Sequence, residues 1–232
     1  MMTNRQRILM AMRGEMPDML PYVPRIDLWY NANSYADTLP ERHRGRTQDE
    51  ISRAEGWALH KMVPEFLKGQ TPDGDLHRAI GIFSMKELVY RCRFSSDIGI
   101  KIKREKGSTH VEYHTPIGEV STTTIFTEEM RTAGASIRWI DEHIIKKPED
   151  YRIVAYIFEN MELVPDFDEF KSWKDETGED GVAITFFGSA ASPIHYIQKE
   201  FVDATSFYFH YEDYQKEMRM LAERVEHFLI RS

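Results

Sequence analysis

Ile8, Leu9 and Met12 recur at helical spacing behind Thr3, and Gly14 interrupts the pattern. Thr3 with Gln6 three residues on makes a capping box, so the chain is expected to open on a short amphipathic helix. Pro17 and Pro21 then set a turn, and an apolar strand runs from it into the polar cluster Arg25, Asp27, Trp29 and Asn31. Ser34 to Leu39 reads as a loop or short helix, Gln48 to Lys61 as a helix starting near Thr47, and Thr71-Pro72-Asp73-Gly74 as a turn. Alternation of Ile98, Ile100 and Ile102 with Gly99, Lys101 and Lys103 predicts a half-buried strand. Gly107-Ser108 turns it back through Val111 and Tyr113, and a third, Thr-rich strand follows from Ile117 to Phe126, so 98–126 reads as an antiparallel meander.

Further on, Pro148 at the first helical position opens a helix with Tyr151, Val154, Ala155, Phe158 and Met161 on one face. A second helix, bounded by Pro165, carries Phe167, Phe170 and Trp173. Gly178 to Gly181 then leads into 182–187, a short run apolar on both faces, which is the pattern of a parallel strand. A loop of small residues, Gly188 to Pro193, leaves room beside it for a ligand. The last helix buries Tyr214, Met218, Leu221, Val225 and Phe228 at spacings of four and three.

These elements predict an α/β fold: an incomplete TIM (β/α)8 barrel in one domain, 1–232, with 98–126 as a β insertion beside it. Only roughly three barrel-type strands precede Ser232, whereas closure needs eight. An open parallel sheet exposes edge hydrogen bonds, so a second chain or a homo-oligomer is expected to cover it.

Composition narrows the functions. The chain carries 30 basic and 38 acidic residues, a net charge of −8, with 41% hydrophobic and 12% aromatic content. No long basic block is present, which argues against nucleic acid and for a small-molecule or protein partner. No apolar run approaches the ~20 residues of a membrane helix, and the N-terminus has no signal-type apolar core. Cys92 is the only cysteine. That excludes an internal disulfide and any zinc site built from several cysteines of this chain, and fits the cytoplasm.

The chemistry-bearing candidates are few. On a strand, Arg25, Asp27 and Trp29 share one face, and at the end of a first barrel strand that face looks into the pocket. Arg25 there clamps a substrate carboxylate, and Asp27 orients or protonates a reacting group. The bland alternative is a mutual pair that ties down a strand end. Trp29 and Asn31 are further substrate contacts. His195, just past the small-residue loop, is a candidate acid-base group, although a lone histidine at a helix start is more often structural. His110 and His114 lie four apart on a strand, ~13 Å at the backbone, too far to chelate one ion, and read as surface residues. Cys92 between Arg91 and Arg93 is either an activated thiol or a small apolar filler, and Ser84 with Glu87 is a capping box.

The string Thr3-Asn4-Arg5-Gln6-Arg7-Ile8-Leu9, then Gly14-Glu15-Met16-Pro17-Asp18 and Pro21, resembles the opening of the uroporphyrinogen decarboxylase superfamily. Downstream, Thr115 to Val120, Lys147-Pro148-Glu149-Asp150-Tyr151, Phe207-Tyr208 and Tyr211-Glu212-Asp213 look like its corrinoid-dependent methyltransferase branch, in order. True decarboxylases of the family carry Arg-Gln-Ala-Gly-Arg after the first strand. Here Arg25-Ile26-Asp27-Leu28-Trp29-Tyr30-Asn31 offers one arginine where two are expected, which tells against porphyrinogen decarboxylation. The resemblance covers nearly the whole chain but only the first part of the family's fold. It implies part of a methyltransferase in which zinc activates the methyl donor or thiol acceptor, and a partner corrinoid protein carries the methyl group. The family's zinc ligands lie in the second half of the barrel, so no metal ligand is assigned in this chain. A decarboxylase of a tetrapyrrole or other polycarboxylate is the alternative enzyme. A non-catalytic binding or assembly subunit is the alternative outside catalysis.

Overall fold

The period-two alternation between Ile98 and Phe126 folds as an antiparallel meander and carries the largest sheet among the described residues. The computed structural model describes residues 1–63, 78–81, 89–135, 137–185 and 191–231. The Thr71–Gly74 turn, the Ser84–Glu87 pair, the end of the apolar run at 186–187 and the 188–190 part of the small-residue loop lie outside the described residues. The helices are α1 (Asn4–Met12), α2 (Asp27–Tyr35), α3 (Gln48–Ala54), α4 (Glu128–Thr132), α5 (Pro148–Glu159), α6 (Asp168–Thr177), α7 (Pro193–Tyr196), α8 (Ala204–Asp213) and α9 (Gln215–Arg231). The strands are β1 (Leu59–Val63), β2 (Tyr90–Phe94), β3 (Gly99–Glu105), β4 (Ser108–Thr115), β5 (Gly118–Ile125), β6 (Trp139–Glu142), β7 (Met161–Pro165) and β8 (Gly181–Thr185).

The sheet β3-β4-β5-β6 is antiparallel throughout, with Ile102 opposite Val111 and Tyr113 opposite Val120. Val111, Tyr113, Val120, Thr122 and Thr124 form its buried face. Helix α5 covers that face with Tyr151, Val154 and Phe158, and α9 packs on α5 through Met218, Leu221, Val225 and Phe228. Phe158 sits at the junction, its ring centre 5.3 Å from Phe228, 5.5 Å from Phe201 and 6.3 Å from Tyr196. Edge-to-face rings at these separations add stabilisation beyond their buried area.

Two smaller sheets accompany it among the described residues. β2 pairs antiparallel with β7, and β1 pairs parallel with β8 from Leu59–Gly181 to Val63–Thr185. Gly181 is required at the start of that pair, because a Cβ there would lie 1.9 Å from the Leu59 carbonyl oxygen. Helix α1 seals one side with Ile8 against Ala58 and Val182. The Thr3–Gln6 capping box forms as read, and Thr3 also donates to Glu179 (2.6 Å). The expected apolar stripe of α1 is only partly present: Ile8 is buried, Leu9 partly so, and Met12 is exposed. Arg7 is buried beside Ile8, its guanidinium donating to both Asp18 oxygens at 2.7 and 3.1 Å. That pairing holds the Asp18 carboxyl below its ordinary range.

The expected incomplete TIM barrel is corrected by this topology. The described residues contain one parallel strand pair, β1–β8, with the other two sheets antiparallel. The segment read as the first barrel strand is helix α2: the Tyr30 N–H donates to the Ile26 carbonyl at 2.7 Å, so the groups a strand would offer a neighbour are spent within the helix. The expected helix from Gln48 to Lys61 stops at Ala54. Gly56, at φ +72, turns the chain out of α3 and into β1. Met161, read as the end of α5's stripe, instead starts β7, while the expected final helix forms as α9 with Met218, Leu221, Val225 and Phe228 buried, and Tyr214, read as its first stripe residue, caps the end of α8.

Candidate functional site

Arg25 and Asp27 are brought together, but by a helix start and not by a strand face. Asp27 is the first residue of α2, where a carboxylate complements the unpaired N–H groups of the helix end. Its oxygens lie 3.1 and 3.3 Å from Arg25 Nε. The Arg25 side chain is 54% exposed and that of Asp27 15%. Nε is thus engaged. The two terminal guanidinium nitrogens carry no hydrogen bond among the described residues.

The segment before α2 runs beside β1, with the Ala58 N–H donating to the Tyr22 carbonyl (2.9 Å) and the Tyr22 and Trp57 rings edge to face at 5.9 Å. This brings His60, on β1, into the field of the Arg25–Asp27 pair. Burial pulls the His60 imidazole below its ordinary range, Arg25 lowers it further, and Asp27 acts against both. It is therefore neutral at pH 7, with one nitrogen to donate and one to accept. Sequence reasoning missed His60 because the expected helix ran through it. Gly56, a helix stop followed by a short apolar run, was the available signal.

The other candidates are placed elsewhere. Two residues along a helix is a rotation of about 200°, so Trp29 points away from Asp27. Its ring meets the buried His43 edge to face at 6.3 Å, making it a packing residue between α2 and the 3-10 turn Glu41–His43. Asn31, one turn on from Asp27, stays on Asp27's side and is half-buried. His195 is exposed. Its Nδ1 accepts from the Ala191 N–H (3.0 Å) while its own N–H donates to Ser192 Oγ (3.1 Å). These are the contacts of a helix cap, and among the described residues nothing ties His195 to Arg25 or Asp27.

A second polar group covers the outer face of the large sheet. His114 Nδ1 lies 2.8 Å from Glu119 and its Nε2 3.3 Å from Glu112, while His110 accompanies Thr123 (2.9 Å) and Glu142 (3.8 Å). Glu112 lies between the two histidines, 3.8 Å from His110 Nε2 and 3.3 Å from His114 Nε2, with Glu142 and Glu119 on their other nitrogens. Among the described residues no three His, Cys, Asp or Glu side chains group to hold a metal.

Cys92, on β2, is half-buried and unpaired, and burial pushes its thiol up to about 12. This is opposite to activation by the flanking arginines. With one cysteine and no cluster of three His, Cys, Asp or Glu side chains, the donor set of the described residues does not fit the zinc that the family resemblance implies. No helix among the described residues is long and apolar enough to cross a membrane.

The described structure is thus a mixed α/β chain in which Arg25, paired with Asp27, acts electrostatically on the half-buried His60. Comparison with known protein families, with curated proteins and with solved structures gives no match.

Proposed function

We propose that the chain is a uroporphyrinogen decarboxylase-like protein that supplies a carboxylate-binding site to a corrinoid-linked methyltransferase. One observation carries the reading: the terminal nitrogens of Arg25 are uncommitted among the described residues, while Nε is held by Asp27 beside His60. A planar guanidinium so held presents two parallel donors, the geometry that takes a carboxylate. Asp27 is then a positioning residue for Arg25, and His60 is the group able to accept or donate a proton next to the bound ligand. Zinc and the corrinoid protein belong to the complete assembly, and the ligands for zinc come from outside the described residues. The small-molecule substrate bears a carboxylate, and the setting is cytoplasmic, in keeping with a single cysteine. Decarboxylation of a polycarboxylate is the second reading, favoured by the same free fork, since it asks for an anion clamp.

The test is a titration of the full chain with propionate, succinate and citrate, followed by calorimetry and by the His60 imidazole resonances. Binding is expected to weaken about tenfold or more in Arg25→Ala, with the melting temperature within a few degrees of wild type, because an exposed pair contributes only about 0.2–1 kcal/mol. Equal binding by Arg25→Ala, or no binding of any carboxylate, would reject the site. With the corrinoid protein and zinc added, methyl transfer supports the first reading, and metal-free release of CO2 from a polycarboxylate supports the second.

A further inference from the structure

Helix α9 has two stripes, and only one of them is accounted for. Met218, Leu221, Val225 and Phe228 face the core, while Gln215, Arg219, Ala222, Glu226 and Ile230 recur at spacings of four, three, four and four on a separate face. That is the spacing of a helix seam. Arg219 and Glu226 are exposed and have no ion-pair partner among the described residues, and Ile230 is 77% exposed. Beside the N-terminal half of this stripe lies a groove of about 380 Å³ between α7, α8 and α9, floored by Ile194, Tyr211, Met218 and Ala222.

The stripe is complementary to itself. When two copies of α9 lie antiparallel about a two-fold axis between positions 222 and 223, each Arg219 falls opposite a Glu226 and each Ile230 opposite a Gln215. Gln215 lines the groove, so the exposed Ile230 of one copy is delivered to the apolar hollow of the other. Ala222 lies next to the axis, opposite Glu223 of the other copy, and its small side chain leaves room for the helices to approach. A parallel arrangement would instead set Arg219 against Arg219. An isologous contact satisfies both charges and the groove twice with one surface.

We propose that the Gln215–Ile230 stripe of α9 and its adjoining groove form a two-fold docking surface for a second copy of this chain. The proposal is independent of the Arg25 site.

The test is sedimentation velocity of the full chain over a concentration series, which is expected to show a reversible species of twice 27.3 kDa. R219E is expected to weaken association about tenfold or more, and R219E/E226R to restore it to about the wild-type value, because the reversed charges pair again across the axis. Ile230→Asp is expected to weaken it without rescue. All of these positions are exposed, and the circular dichroism spectrum of each variant checks that the fold is kept. A monomer across the series overturns the proposal and leaves the groove to another partner. So does a dimer indifferent to both R219E and Ile230→Asp, or one lost in R219E and not recovered in R219E/E226R.

Discussion

Replacing Glu200 with leucine tests whether the interior depends on a buried charge pair. Glu200 sits on the π-helical turn Ile197–Phe201 that continues α7, with its side chain 1% exposed. It accepts a 2.6 Å hydrogen bond from Arg78 Nη1, whose side chain is 10% exposed, while Arg78 Nε donates to the Arg138 carbonyl at 2.9 Å. Leucine at 200 leaves the guanidinium buried with the Arg138 carbonyl as its one acceptor among the described residues. Breaking a buried pair from one side costs about 3–5 kcal/mol, because the surviving charge is stranded out of water. For a chain of this length each kcal/mol moves the melting temperature by about 2–4 °C, so a fall of about 6–20 °C is expected. The double variant Arg78→Met/Glu200→Leu removes both charges and leaves apolar side chains of similar length, which is neutral to stabilising where such pairs are enclosed. Thermal melts followed by circular dichroism at pH 7 compare wild type, single and double variants. A loss below about 1 kcal/mol in the single variant would mean the pair behaves as a surface bridge. A double variant no more stable than the single would show that the arginine charge was not the source of the cost.

Two further outcomes follow from the same interior. At Gly81, with φ +76, an added Cβ would lie 2.7 Å from Glu200 Cβ and 2.9 Å from the Tyr196 ring, whereas at Gly14, with φ +75, it would meet nothing within 4 Å. Both alanine variants carry the backbone cost of about 1–2 kcal/mol, but only Gly81→Ala adds overpacking of about 1–3 kcal/mol; equal melting temperatures would contradict the packing. His210 faces the Tyr151 hydroxyl at 3.1 Å, and burial pulls its imidazole below the ordinary value, against Asp203, Asp213 and Asp150. The unfolded chain therefore takes up this proton first, so stability is full above the unfolded value near 6.5 and is lost as pH falls from there through the lower folded value. His210→Gln is expected to shrink the loss of denaturation midpoint between pH 7 and 5, and an unchanged slope would contradict it.

What could be read in the sequence were features whose partners lie a few residues apart. The Thr3–Gln6 box, the helix start near Thr47, the meander from Ile98 to Phe126, the Pro148 helix start and the Met218–Phe228 stripe are all set by side chains and backbone groups within one or two turns or one hairpin. The same local physics made 182–185 legible as a parallel strand, since its apolar residues occupy both faces. Of the candidate site, Arg25 with Asp27 was legible as a pair, because two residues of separation suffices for the contact whether the backbone is a strand or a helix start.

The tertiary structure decided the rest. A run such as Ile26 to Tyr30 has no long-range partner written into it. Whether it extends or coils depends on whether a neighbouring strand takes up its N–H and C=O groups, and none of the described strands does. Pairing of Leu59 with Gly181 and of Phe94 with Met161 joins residues far apart in the chain, and it is this choice of partners that separates a barrel from three sheets. His60 joined the site for the same reason: only the placement of β1 beside the chain before α2 brings its imidazole into the field of Arg25. Local hydrogen-bonding rules determine where elements start, stop and alternate, while the burial of their apolar faces against distant segments determines which side chains meet.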